Sequence, residues 1–310
     1  MPVHPAITAW LGLMNTMPAL ETLPVADGRA GVIAGLALQP PPPAIGQVIN
    51  RTLPGPGGDI PVRLYMPFGA GPFPLTMYFH GGGFVIGNRD THDGLCRHLC
   101  LAAQGVVMAV DYRLAPEHKF PAAYDDCLAA TKWAAANAGI LGIDPRRIAL
   151  AGDSAGGNLA AATAIGLRDG GGPKICAQLL NCPWLDYDTT TGSYRDNGAG
   201  YFLTLPLMKW FEGHYLRGAA DRDDPRAAPL QAKDLRGLPP AYVLTAQFDP
   251  LRDEGEAYAD KLAAAGVPVV RKRYSNMIHA FPGLLLNVVP EAAEELRAFG
   301  AWLQARFAAV

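Results

Sequence analysis

A layered α/β fold, with a mostly parallel central sheet and helices on both faces, is what this sequence predicts, and three observations carry it. Apolar strand-like runs recur along the chain, helical periodicity fills the intervals between them, and a glycine-flanked serine stands where one such run turns into a helix. Alternation of strand and helix favours parallel pairing with crossover connections over a meander.

Taken in order, residues 1 to 44 are helix-like and end in the proline run Pro40 to Pro43, which cannot continue a helix and reads as a stiff connector. Ile45 to Thr52 and Ile60 to Met66 flank Pro54-Gly55-Pro56-Gly57-Gly58, the pattern of an antiparallel hairpin at a sheet edge. Strand-like runs then follow at Leu75 to His80, Val106 to Arg113, Arg147 to Ser154, Ala177 to Trp184, Ala241 to Asp249 and Val267 to Tyr274. Helical periodicity marks Thr91 to Gln104, Pro121 to Asn137, Asn158 to Asp169 and Leu251 to Ala265, and a last amphipathic stretch runs from Pro290 to Ala309. Residues 185 to 235 break this rhythm. Asp186 to Gly200 is polar and glycine-rich and Leu205 to Leu216 is amphipathic, so this insertion is expected to lie as a lid over the carboxyl edge of the sheet. The expected organisation is an N-terminal cap over residues 1–44 and a core over 45–310 interrupted by a cap insertion at about 185–235.

Composition narrows the class. The chain has 310 residues, half of them hydrophobic, enough for one large domain with a substantial core. A formal charge of -2, with no lysine- or arginine-rich stripe, excludes the electrostatic footprint of a nucleic-acid binder. Cys96, Cys100, Cys127, Cys176 and Cys182 are odd in number and lack the close pairing of a zinc site, which reads as buried thiols in a reducing compartment. The first basic residue is Arg29, so the charged start of a secretory leader is missing, and no apolar run is long enough to span a bilayer. The expectation is a cytoplasmic protein without stable membrane association.

The chemistry starts at Gly152-Asp153-Ser154-Ala155-Gly156. It follows the apolar Arg147 to Ala151 and opens the small-residue segment Gly157 to Ala162, so Ser154 sits on a tight strand-to-helix turn that thrusts its hydroxyl out at the sheet edge. The string also resembles the Gly-Asp-Ser-Gly-Gly of trypsin-like proteases, but a helix directly after the serine argues against that barrel fold. A serine hydroxyl needs a base, and the base needs a group to orient it. In a sheet of this kind the chain order is serine, acid, histidine. Only His214 and His279 follow Ser154; His214 falls inside the lid helix, whereas His279 lies in a short loop after the strand ending near Tyr274. Among the acids, Asp249 alone ends a strongly apolar strand, Tyr242 to Phe248, although capping of the helix at Leu251 would also explain it.

His80-Gly81-Gly82-Gly83-Phe84 supplies the third element, because unshielded glycine amides can approach the anion that acyl transfer develops on a carbonyl oxygen. Gly82, Gly83 and the amide of Ala155 are the candidate oxyanion donors, the last helped by the start of its helix. A dinucleotide loop is the competing reading, and it fails because Ile86 stands where the third glycine of G-x-G-x-x-G belongs. Asp153 is assigned a structural part and His80 the anchoring of the loop. No His-Glu-x-x-His or comparable cluster occurs, so neither metal nor cofactor is expected.

With these segments assembled, the chain resembles the hormone-sensitive lipase family of esterases, the α/β-hydrolase branch also called bacterial family IV. The resemblance rests on His80-Gly81-Gly82-Gly83-Phe84, Asp111-Tyr112-Arg113-Leu114-Ala115-Pro116-Glu117, Gly152-Asp153-Ser154-Ala155-Gly156-Gly157-Asn158, Asp249-Pro250-Leu251-Arg252-Asp253-Glu254 and His279-Ala280-Phe281, and covers roughly residues 45 to 310. It implies an α/β-hydrolase fold with a helical cap, Ser154 as nucleophile, His279 as base, Asp249 as orienting acid, and Gly82, Gly83 and Ala155 at the oxyanion. It implies a carboxylic ester hydrolase needing no cofactor and taking a small-molecule ester with a short-to-medium acyl chain. Phe84 and, from the lid, Phe202, Leu203, Met208 and Phe211 are the candidate substrate contacts, within an apolar set that also holds Tyr201, Leu205 and Trp210. The family includes receptors that bind without hydrolysis, but these lack the histidine that this chain keeps. Amide or lactone hydrolysis stays open, and a homodimer through the last strand and helix is a further expectation of the resemblance.

Overall fold

The computed structural model describes residues 1–36, 39 and 41–310. Its sheet has eight strands in the order β1-β2-β4-β3-β5-β6-β7-β8. β1 (Gln47–Gly55) and β2 (Gly58–Met66) pair antiparallel from Gln47 opposite Met66 down to Gly55 opposite Gly58, so only Pro56 and Gly57 make the turn and both strands run further into it than the glycine and proline content suggests. β2 is antiparallel to β4 (Val106–Val110), after which β3 (Phe73–Phe79), β5 (Ile143–Asp153), β6 (Ala177–Asn181), β7 (Ala241–Phe248) and β8 (Val269–Ile278) are all parallel.

Strands β4 and β6 are buried at every position, as expected of parallel strands covered on both faces. Alternate residues feed two separate cores, because successive side chains of a strand point to opposite faces. Val106, Met108 and Val110 belong to one cluster, Val107 and Ala109 to the other. The first is covered by α4 (Ala122–Ala136), α5 (Ala138–Leu141), α6 (Ala155–Asp169) and α9 (Arg252–Ala264). The second is covered by α3 (Asp93–Ala103), α10 (Phe281–Leu284) and α11 (Pro290–Phe307), together with Ile7 and Leu11 of α1 (Pro5–Met14).

The N-terminal segment continues through a 3-10 turn at Leu20–Thr22 into α2 (Val25–Gly35). The proline-run connector falls partly on Pro40, outside the described residues. Between β6 and β7 lie α7 (Gly192–Asn197) and α8 (Leu205–Tyr215), the latter packed against the Leu20–Thr22 turn. The polar glycine-rich stretch thus contains a short helix that its composition concealed. Trp10 of α1 meets Phe202 with ring centroids 5.3 Å apart, a second tie between the N-terminal segment and the insertion. Among the described residues no helix is long and apolar enough to cross a membrane.

Candidate active site

Ser154 occupies the single residue between β5 and α6 at φ 55, ψ -121, a backbone conformation that a non-glycine residue adopts only when its surroundings over-determine it. Those surroundings are the backbones of two neighbouring segments. A Cβ on Gly156 would strike the carbonyl of Phe79, and one on Gly152 would strike Gly156 itself, so the glycines let α6 start directly against β3. The Ser154 amide donates to Asn181 O at 2.9 Å and its carbonyl accepts from the amides of Trp184 and Asn158, both at 3.1 Å. Asn158 also clamps Trp184 O at 2.7 Å and Ala227 O at 2.6 Å through its side-chain amide, fixing the elbow to the segment after β6 and to the end of the insertion.

Asp249 follows β7 and His279 follows β8, which extends to Ile278 rather than ending near Tyr274; a register shift between Ala246 and Phe248 accommodates the extension. His279 Nδ1 lies 2.8 Å from Asp249 Oδ2, and both side chains are buried. The other oxygen, Oδ1, accepts the Leu251 amide at 2.9 Å. One oxygen thus faces His279 and the other closes the turn that leads into α9. With Nδ1 facing a carboxylate it carries the proton, which leaves Nε2 as the basic nitrogen. Among the described residues no hydrogen bond engages Nε2 of His279 or the hydroxyl of Ser154, which heads β5 on the same edge of the sheet; such bonds are commonly long in a resting site and tighten with substrate.

Cys182, just past β6 at φ 46, brings its Sγ within 4.8 Å of ligating atoms of Asp249 and His279. Burial, and then the Asp249 carboxylate, push its thiol well above the usual range. The trio is a conceivable metal cluster by composition, but the acid and the imidazole are already committed to each other. All five cysteines are unbridged.

On the other side of Ser154, Gly82 and Gly83 sit at φ 116 and φ 58, and the carbonyl of Gly82 accepts from Val85 at 3.0 Å and Ile86 at 2.9 Å. This tight turn leaves the amides of Gly82, Gly83 and Ala155 without hydrogen-bond partners among the described residues. Ala155 begins α6, so its N–H is one of the donors that a helix cannot satisfy internally. Unpartnered amides in a glycine loop and at the first residue of a helix are the kind of donors that bind an anion.

His80 anchors the loop, stacked on Tyr112 at 4.3 Å, with Tyr112 donating to His80 O at 2.7 Å. Burial, reinforced by neighbouring His92, lowers His80 to about 3, so it stays neutral. Asp153 accepts from Tyr78 Oη at 2.6 Å and from the Gly81 amide at 3.1 Å. Tyr78 and His92 escaped the sequence reading, since Tyr78 reads as one more strand residue and His92 as a helix start.

The candidate substrate contacts divide. Phe211 lies against the oxyanion loop, where a Cβ on Gly83 would overlap its ring. Leu203 and Met208 are buried in the same cluster as Phe211. Phe202, at φ 75, joins the other cluster beside Tyr201, whose ring lies 4.9 Å from that of Phe248. Phe84 is fully buried and stacked 3.7 Å from Tyr215, so its ring fastens α8 to the core and is spent on packing. His214 stacks edge-on against Trp210 at 4.5 Å within the same helix.

A serine at a strand-to-helix elbow, a buried acid–histidine pair two and three strands away, and a glycine anion cradle define a serine hydrolase on a parallel sheet, and the chain belongs to the α/β-hydrolase family. A family model described as the alpha/beta hydrolase fold matches residues 76–283. The chain is 43% identical over 280 residues to Esterase LipI of Mycobacterium tuberculosis, covering 88% of this chain and 87% of that one. It is 42% identical over 290 residues to Carboxylesterase NlhH of the same organism, covering 91% and 90%. Among solved structures, the ester-hydrolase EH1AB1 from the metagenome of Lake Arreo, complexed with a derivative of bipyridine phosphonate, superposes with a TM-score of 0.95 at 40% identity over 99% of both chains. The protein is a carboxylic ester hydrolase of the hormone-sensitive lipase-like branch.

Proposed function

We propose that the protein cleaves short-to-medium acyl esters through an acyl-enzyme formed on Ser154. His279 Nε2 takes the hydroxyl proton as Ser154 attacks the ester carbonyl, and Asp249 holds the imidazole and offsets its charge. Gly82, Gly83 and Ala155 donate to the carbonyl oxygen as it becomes an anion. The proton passes to the leaving alcohol, and water, activated by the same histidine, repeats the cycle in reverse to free the acid. The observation that carries this reading is the buried 2.8 Å contact of His279 with Asp249 on the edge where Ser154 emerges. Incubation with p-nitrophenyl acetate and butyrate tests it: nitrophenolate release is expected from the native protein and not from Ser154→Ala, and full activity of that variant would overturn the assignment.

Residues 1–44 and 185–235 act as the cap, and the apolar Leu203, Met208 and Phe211 bound the acyl side of the site. The series of p-nitrophenyl esters from acetate to laurate checks the pocket, with peak turnover expected at the short end and a laurate optimum rejecting it. A homodimer through β8 and α11 and a cytoplasmic location complete the reading; sedimentation velocity tests the former and fractionation with tagged protein the latter.

A further inference from the structure

Next to the nucleophile lies a buried charge that the reaction as drawn does not use. Asp153 is the residue before Ser154, and its carboxylate reaches three different segments: Tyr78 of β3, the Gly81 amide that opens the oxyanion loop, and His92 at the start of α3, whose Nε2 stands 3.4 Å from Oδ1. The fit at Gly81 is close, since a Cβ there would overlap Asp153 Oδ2.

The partners of His92 offer an acceptor to each ring nitrogen. Thr91 Oγ1 donates its only proton to Asn88 O at 2.7 Å and accepts the Asn88 amide at 3.0 Å. His92 Nδ1 stands 2.8 Å from that hydroxyl oxygen and 3.4 Å from Asn88 O, a carbonyl that can only accept, while Nε2 faces the Asp153 carboxylate. An acceptor at each ring nitrogen favours the doubly protonated imidazolium. Its surroundings agree: β3 and its loop present Tyr78 and His80, the helix presents Cys96, and the end of β4 presents Asp111, which is already paired with Arg89 at 3.2 Å. Tyr78, Tyr112 and Cys96 are held protonated by burial and His80 is held neutral, so Asp153 is the charge left for His92 to meet.

We propose that His92 is a positioning residue for ester hydrolysis: its imidazolium neutralises Asp153, which holds the Gly81 amide and so aims the Gly82 and Gly83 amides at the oxyanion. The inference rests on the reading of Ser154 and the glycine loop given above. Its physical basis is that an unpaired carboxylate beside the nucleophile would oppose the negative charge growing on the substrate, in a site where little water screens it. Losing the proton on His92 would leave Asp153 in that state.

The test is kcat and KM for p-nitrophenyl butyrate between pH 6 and 9 with the native protein, His92→Gln, Asp153→Asn, the double variant and Ser154→Ala. His92→Gln is expected to lower kcat by on the order of tenfold or more with little change in KM, since it weakens a transition-state contact and not ground-state binding. The native protein is expected to lose kcat on the alkaline side as His92 gives up its proton, and His92→Gln is expected to lack that decline. The double variant, neutral at both positions, should recover kcat relative to His92→Gln. A kcat within twofold of native for His92→Gln, or an unchanged alkaline limb, overturns the proposal. If Ser154→Ala is inert while His92→Gln is silent, only this inference fails; if Ser154→Ala is active, the site reading itself fails. Should the variants not fold, nitrogen-15 histidine spectra of the native protein decide the matter, with the His92 signal recognised by its through-space contact to Tyr78. Both ring nitrogens protonated at pH 7 supports the proposal, and a neutral ring overturns it.

Discussion

Asp249 divides its carboxylate between two neighbours, one in the turn that follows it and one in the proposed triad. Oδ1 closes the turn into α9 and Oδ2 orients His279. Asp249→Asn keeps an oxygen for the turn but places an amide against Nδ1, which favours the wrong tautomer. Its melting temperature is expected to stay near native while kcat falls about 10⁴-fold; turnover within tenfold of native would remove Asp249 from the mechanism. Phe211 sits over Gly83 in a buried cluster, so Phe211→Ala should cost about 3–5 kcal/mol in denaturant unfolding and shift the chain-length optimum upward as room opens beside the oxyanion loop. An unshifted optimum would separate Phe211 from the acyl pocket.

At the scale of elements, the N-terminal helices are tied to the catalytic loops by few but specific bonds. Arg29 of α2 donates to Val85 O and Ala115 O, both at 2.8 Å, and pairs with both oxygens of Glu117. The ion pair is half exposed and by itself worth little, but the two carbonyl contacts fix α2 against the segment that follows the oxyanion loop. Arg29→Ala is expected to speed hydrogen exchange of the α2 amides while leaving β5 unchanged, because the lost bonds anchor a peripheral element and not the sheet. Equal protection of α2 in both proteins would show that the Trp10–Phe202 contact suffices. The short helices α7 and α10 were illegible in sequence for a local reason. Gly192–Asn197 has weak helical composition and is held by Asp253, which accepts the Ser193 amide at 2.7 Å, and by Ser193, which donates to Pro250 O at 2.6 Å.

For the whole molecule, the buried polar network beneath the oxyanion loop sets a pH range. Burial alone would raise Asp153, but the charge of His92 and the hydrogen bonds of His92 and Tyr78 hold it at about 2. His80 is depressed to about 3. Between these values and the ordinary ones the unfolded chain binds more protons than the folded one, so both groups make stability fall as pH falls, His80 from about 6.5 downward and Asp153 from about 3.8. His92 has the opposite sign: burial lowers it, but Asp153 more than compensates and its affinity for the proton is raised, so its contribution is full below its unfolded value and is lost as pH rises through the folded one. Unfolding temperatures measured from pH 3 to 9 should therefore pass through a maximum near or below neutrality, and Asp153→Asn should flatten the acid side. A native profile flat from pH 7 to 3 would contradict this account.

The sequence by itself determined the order of strands and helices, the elbow at Ser154, the glycine loop and the choice of His279 over His214, because each rests on local pattern: apolar periodicity, the steric need for glycine at a sharp reversal, and chain order along a parallel sheet. Tertiary structure alone decided what those patterns meet. Only packing of β3, β5 and α3 brings Tyr78, Asp153 and His92 together, only the seating of α8 turns Phe84 from a candidate substrate contact into a stacking partner of Tyr215, and only the turn after β7 lets Asp249 divide its oxygens between two roles. Contacts between residues up to 131 positions apart, as Phe84 and Tyr215 are, leave no periodic trace, since a side chain's partner across the fold depends on register and crossing geometry and not on its neighbours in the chain.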